Sequence, residues 1–268
     1  MPTKRRPAVP SNPIAQEFDA TRRWVDFEEI DNVRDLGGLP VDDGGTTRFG
    51  VALRSSTLQQ ATEADVALLL GSVGMRTLID LRLPDEVERE GYGLLAATAI
   101  EKVNLPVRKS AQSSLAARDL VPDKTRVDLA QLYGQLLAGS PEEIVAAARL
   151  IADADRQAVV FHCAAGKDRT GVLAAVLLDA VGVAPEVIAA DYALTNERMT
   201  RVRNRLDALN SYSGLPPTST GILAVEAAVM LRFLDDLRRD HGGAARWLRE
   251  HGLTAEELTM LRYALVTG

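Results

Sequence analysis

Val159 to Gly171 reads VVFHCAAGKDRTG. The segment runs from apolar Val159–Phe161 through a loop of small residues into the apolar stretch beyond Thr170, which predicts strand, loop and helix in that order. Such a junction gathers backbone N–H groups and the positive end of a helix around one point, the arrangement that holds a phosphate dianion. Gly166 lets the chain turn where a side chain would obstruct. Cys163 and Arg169 stand at the two ends of the loop with five residues between them. The first is a nucleophile, and the second has a planar fork that can give two parallel hydrogen bonds to phosphoryl oxygens, which Lys cannot.

Ala164, Ala165, Gly166, Lys167, Asp168 and Arg169 are therefore expected to line a phosphate site. A free thiol is only about 3% ionised at neutral pH, so complete ionisation gains only about 30-fold, and most of any rate enhancement falls to the loop and Arg169. His162 is expected to order the loop, and Thr170 to cap the helix or hydrogen-bond the sulfur.

The rest of the chain supplies the setting. In Arg76–Arg82, RTLIDLR, a short apolar run predicts a buried parallel strand that delivers Asp80 and Arg82 at its carboxyl end, where open α/β sheets bind ligands. Asn32–Pro40, NVRDLGGLP, predicts a turn. Asp42–Gly45 predicts a hairpin turn that leads into a strand over Val51–Arg54. Thr62 predicts a helix N-cap, Pro84-Asp85-Glu86 a helix start whose acids suit the positive end, and Ser140-Pro141 with Glu143 a capping box. A further strand is expected over Ile100–Val107, and a polar excursion over Arg108–Thr125. Helices are expected over 127–137, 141–154, 170–181, 184–209 and 220–239, with closing helices through Val266.

Composition narrows the function classes. The 268 residues carry a net charge of -6 with a pI near 5.2, which argues against a general nucleic-acid binder. Cys163 is the only cysteine, so an intrachain disulfide and a cysteine-rich metal site are excluded, and no metal or cofactor is expected. The basic, Pro-rich opening over 1–15 predicts a disordered tail without signal-peptide character, followed by a single domain over 16–268. Val172–Ala190 is interrupted by Asp179, Pro185 and Glu186, so no transmembrane segment is expected. A cytoplasmic protein is expected, or one exported without a recognisable signal.

The motif His-Cys-x5-Arg-Thr-Gly resembles the signature loop of cysteine-dependent protein tyrosine phosphatases. With NVRDLGG, Leu53-Arg54-Ser55, LIDLR, Ala190-Asp191-Tyr192 and Thr195-Asn196, the chain resembles the bacterial atypical tyrosine phosphatases, the group of the mycobacterial secreted triple-specificity enzyme. The resemblance implies a cysteine-phosphatase fold: α/β, a central mostly parallel sheet flanked by helices, and a pair of lid helices, here expected over 203–234. It implies attack of Cys163 on phosphorus and a phosphocysteine intermediate. Three acids are candidates for the proton donor: Asp168 in the loop, Asp80 at the strand end, and Asp85 in Leu83-Pro84-Asp85. Phosphotyrosine is the expected substrate, with phosphoserine or phosphothreonine beside it. Phosphoinositides are the alternative if Lys167, Arg54, Arg82, Arg108 and Lys109 converge on the entrance. A phosphopeptide-binding module and a sulfurtransferase are competing readings that the intact Cys163, Arg169 and Thr170-Gly171 disfavour.

Overall fold

The structure is a computed structural model describing residues 22–108, 128–209, 215, 217–218 and 221–268. The tail expected over 1–15, Lys109, nearly all of the polar excursion and most of the Ser211–Ser219 break lie outside the described residues.

A five-stranded sheet carries the fold, in the order β1 (Arg34–Asp35), β3 (Ala52–Ser55), β6 (Val159–His162), β4 (Thr77–Asp80) and β5 (Glu101–Asn104). β3, β6, β4 and β5 are parallel and β1 is antiparallel to β3. Successive side chains of a strand point to opposite faces, and the sequence uses both. Val159, Phe161, Ile79 and Ala52 pack into a large core under the C-terminal helices. Val160, Leu78 and Leu53 pack into a smaller one with Phe27, Ile30, Leu69 and Met75.

The small face is covered by α1 (Glu63–Leu70), whose N-cap Thr62 shares a reciprocal capping box with Asp65. α2 (Pro84–Glu90) follows β4. On the large face lie α3 (Leu129–Ala138), α4 (Pro141–Ala152), α5 (Asp168–Ala180) and α6 (Pro185–Ala193). α7 (Met199–Asp207), α8 (Ala227–His241), α9 (Ala244–Glu250) and α10 (Ala255–Leu265) complete the chain. Every residue of α5 from Thr170 to Leu178 is buried, and each buried Val or Leu contributes about 2 kcal/mol. The helix that follows the loop is thereby fixed along most of its length.

Several expected boundaries move for identifiable reasons. The helix expected over 184–209 is broken into α6, a 3-10 turn at Leu194–Glu197, and α7. At the break, Arg34 donates to the Asp191 carbonyl and the Thr195 hydroxyl, at 2.8 and 3.1 Å. The helix expected from Thr220 starts only at Ala227; before it, the Ala224 and Val225 carbonyls accept from Lys167 Nζ and Asn196 Nδ2, both side chains. Ser140 makes no capping bond, because its hydroxyl accepts from Arg108 N–H and donates to Arg108 O. Val266–Thr267, whose first residue was expected in the last helix, forms β7 against β2 (Thr46–Thr47).

Candidate active site

β6 lies between β3 and β4 although it follows both in sequence, so the carboxyl end of the sheet has its topological switch point there. His162, the last residue of β6, is in register with Ser55 on one side and Asp80 on the other. The chain then leaves the sheet as Cys163, which is buried to 3% exposure, and reaches α5 at Asp168, two residues earlier than periodicity suggests. Asp168 and Arg169 thus sit on the first turn of a firmly packed helix.

The loop carbonyls are held from outside. His162 Nδ1 lies 2.9 Å from Cys163 O, and Thr57 N–H donates to Ala164 O at 2.9 Å. Asn32 Nδ2 donates to Ala165 O and Gly166 O at 3.2 and 3.0 Å, and Arg54 Nη2 donates to Gly166 O at 2.8 Å. A trans peptide sets its C=O and N–H on opposite sides, so the N–H groups of Ala164, Ala165, Gly166 and Lys167 face away from these donors, as an anion cradle requires. Gly166 has φ +67°, and a Cβ there would stand 2.4 Å from Ser55 O.

Behind the loop is a buried charge cluster that local sequence patterns did not reveal. Asp191 receives Arg23 at 2.5 Å, Arg34 at 3.0 Å and Arg54 at 2.8 Å, all with side chains no more than 1% exposed. Burial would raise the Asp191 carboxyl, but Arg34, Arg23 and Arg54 outweigh it and hold it far below the ordinary carboxylate range. Burial first, and then Arg54, lowers Arg34 to about 9 against the pull of Asp191. Arg34 also orients Asn32, donating to its Oδ1 at 2.5 Å. The NVRDLGG turn, Arg54 and Asp191 therefore converge on the outer side of the loop. Arg54 was expected as a candidate for the entrance, and so was Arg82. Both are buried to 1% exposure, and their charge faces the interior because carboxylates wait for them there. Arg108 is half exposed and lies 3.6 Å from Glu143.

Arg82 makes a bidentate pair with Asp80, including Nη2–Oδ2 at 2.7 Å. The Asp80 side chain is fully buried and lies 3.6 Å from His162 Nε2. Burial alone would raise its carboxyl, but His162 and Arg82 together hold it below the usual value. His162 is shifted down, chiefly by burial and against the attraction of Asp80, and its Nδ1 donates to the Cys163 carbonyl, which can only accept.

Glu86 has a second role beyond the helix start that its sequence position suggests. Its Oε2 caps α2 by accepting from Leu83 N–H at 2.7 Å, the role its position suggests. Its two oxygens also span Arg169, Nη1–Oε2 at 2.5 Å and Nη2–Oε1 at 3.0 Å. A carboxylate across both Nη atoms fixes the plane of the guanidinium fork. Asp85, in contrast, is about half exposed and pairs with Arg89 at 2.7 Å.

Asp168 is 22% exposed at its side chain, and Lys167 Nζ lies 3.0 Å from its Oδ1. Tyr133 donates to the same oxygen at 2.7 Å. Lys167 is itself buried, and its Nζ reaches Ala224 O at 2.9 Å, so the loop's second cation is satisfied within the protein. The Thr170 hydroxyl is buried and has no hydrogen-bond partner among the described residues. The lid expected over 203–234 falls on part of α7 and the first half of α8. α8 buries Met230, Phe233, Leu234 and Leu237, and α7 is tied to the segment before β1 by Arg198–Asp26 at 2.8 Å and Arg201–Asp31 at 3.0 Å. Within the described part of that range, Ala224 meets the loop, its carbonyl accepting from Lys167 Nζ.

Comparison with known proteins gives this geometry a family. A protein from Cupriavidus necator whose name places it among tyrosine-protein phosphatases is 30% identical, the match covering 90% of this chain and 88% of that one. The triple specificity protein phosphatase PtpB of Mycobacterium tuberculosis is 27% identical, over 88% of this chain and 96% of the relative. Among solved structures, the core catalytic domain of the PP-IP phosphatase SIW14 from S. cerevisiae aligns at 14% identity and a TM-score of 0.32, covering 78% of this chain and 96% of that one. The model of the tyrosine phosphatase family matches residues 25–267. With nearly all of the described fold inside that match, the chain belongs to the tyrosine phosphatase family.

Proposed function

We propose that this chain hydrolyses phosphotyrosine through a phosphocysteine formed on Cys163. The observation that carries the proposal is the loop Cys163–Arg169: its outer carbonyls are tied to His162, Thr57, Asn32 and Arg54, so four N–H groups turn to the other side, between a buried cysteine and an arginine on the first helical turn. The phosphoryl group sits against those N–H groups with Arg169 on its equatorial oxygens. The Cys163 thiolate attacks phosphorus in line, the phosphorus–phenolate bond breaks, and the leaving oxygen takes a proton. Water then attacks the phosphocysteine and gives its proton to the same group, the phosphorus–sulfur bond breaks to restore the Cys163 thiolate, and phosphate departs.

Asp168 is assigned as that acid and base. It is partly exposed on the first turn of α5, beside Arg169, whereas Asp80 is fully buried, paired with Arg82 and held in its charged form. Asp80 is assigned a positioning role behind His162, which in turn holds the Cys163 carbonyl. Phosphotyrosine is preferred over phosphoinositides because Arg54, Arg82 and Lys167, three of the cations on which a polyanion site would depend, are buried in internal contacts. The experiment is phosphate release from phosphotyrosine and phosphoserine peptides and from phosphoinositide vesicles by the full chain and by Cys163→Ser. Release from the phosphotyrosine peptide, abolished in the variant, is expected. Turnover confined to the lipid would reverse the substrate assignment.

A further inference from the structure

Tyr133 lies on α3, 35 residues before Asp168 in sequence, and is fully buried. Its ring is held edge-on by Tyr192 and Phe233, with centroids 6.1 and 6.0 Å away. Its hydroxyl touches two oxygens, Asp168 Oδ1 at 2.7 Å and the Tyr192 hydroxyl at 2.6 Å. A phenol has one proton. The carboxylate oxygen can only accept, so Tyr133 gives its proton to Asp168, and Tyr192 must then donate to Tyr133. The result is a directed chain, Tyr192 to Tyr133 to Asp168. Burial, followed by the charge of Asp168, pushes both tyrosines above the ordinary phenol value, so both remain donors at neutral pH.

All of this converges on one oxygen. Asp168 Oδ1 accepts from Tyr133 and also faces Lys167 Nζ at 3.0 Å, and no described residue donates to Oδ2. An oxygen that already accepts from a phenol and faces an ammonium is the poorer place for a further proton, so the acid form of Asp168 carries its proton on Oδ2. From the two contacts we infer that Tyr133, backed by Tyr192, is a positioning residue of the phosphatase reaction: it fixes the rotamer of Asp168 and assigns the transferable proton to Oδ2, the oxygen presented to the leaving group. This rests on the assignment of Asp168 as the acid made above.

The test compares wild type, Tyr133→Phe, Asp168→Asn and the double variant on a phosphotyrosine peptide and on p-nitrophenyl phosphate, whose leaving group has little need of a proton. Phe keeps both edge-on ring contacts and deletes only the hydroxyl. Tyr133→Phe is expected to lower kcat on the peptide about tenfold, the size of one hydrogen bond to a charged group, with KM within about twofold and a loss of at most about threefold on the activated ester. The double variant is expected to match Asp168→Asn, because Tyr133 acts through that carboxyl. Equal losses on both substrates for Tyr133→Phe, or additive losses in the double variant, would overturn the inference while leaving the acid assignment standing. Equal losses for Asp168→Asn would remove the assignment itself and the inference with it. Should Tyr133→Phe fail to fold, Tyr192→Phe leaves the Tyr133–Asp168 bond in place but removes its donor. The same leaving-group signature at about threefold supports the chain, and its absence rejects it.

Discussion

Glu86 and Arg169 form a two-point ion pair, with N–O distances of 2.5 and 3.0 Å, between the first turn of α2 and the first turn of α5. It couples the segment after β4 to the arginine that the proposed mechanism places on the phosphoryl oxygens. Glu86→Gln keeps the size of the side chain and much of its hydrogen bonding but removes the charge that orients the fork. An approximately tenfold fall in kcat/KM is expected, about 1.4 kcal/mol of transition-state stabilisation. The loss should be the same for good and poor leaving groups, since Arg169 does not protonate the phenolate. Steady-state kinetics on both substrates checks this, and a loss confined to the poor leaving group would count against it.

Gly166 has no room for a side chain, because its φ is +67° and a Cβ would meet Ser55 O at 2.4 Å. Gly166→Ala is expected to destabilise the fold by roughly 1–3 kcal/mol through strain and the displaced loop. It should also weaken phosphate inhibition of the enzyme. Urea unfolding together with the inhibition constant for inorganic phosphate measures both, and wild-type values for both would show that the loop does not need this close approach.

Asp191 neutralises one of three buried guanidinium groups. Removing that charge leaves cations buried without their counter-ion, so Asp191→Asn is expected to cost about 3–5 kcal/mol. Denaturant unfolding is the check, and a change below about 1 kcal/mol would mean that the cluster relaxes into solvent.

Acidification should destabilise the fold in a specific window. His162 is lowered in the folded state, mainly by burial, so the unfolded chain binds a proton that the folded chain refuses. Stability from this group is full above the unfolded value of about 6.5 and is lost as the pH falls below it. Unfolding free energy measured between pH 7.5 and 5 should therefore decline, and His162→Asn, which retains an N–H donor, should flatten that slope. An unchanged slope in the variant would assign the decline to other groups.

How much of this was legible before the structure depends on the range of the interactions involved. The strand–loop–helix junction at Val159–Gly171 follows from adjacent residues, and the N-cap at Thr62 and the run RTLIDLR are equally local; all three form, the helix of the first starting two residues early. The partners of Asp191 lie between 137 and 168 residues away in sequence, and no periodicity within α6 announces them. Arg54 and Arg82 are candidates for the entrance on sequence alone, and only the fold shows both of them buried. Glu86 was explained by its helix start, and correctly so, but a carboxylate has two oxygens, and a local role did not exhaust it. Tyr133 sits on the buried face of α3 among Leu and Ala, where an aromatic reads as packing until its hydroxyl is seen to reach Asp168.

The central claim is that Cys163 itself attacks phosphorus. Rapid acid quench of the enzyme with a radiolabelled phosphotyrosine peptide, followed by peptide mapping, tests it directly. Label on the peptide containing Cys163, absent from Cys163→Ser together with all phosphate release, is the predicted result. Phosphate release by Cys163→Ser at a rate near wild type, with no labelled cysteine in either protein, would contradict it.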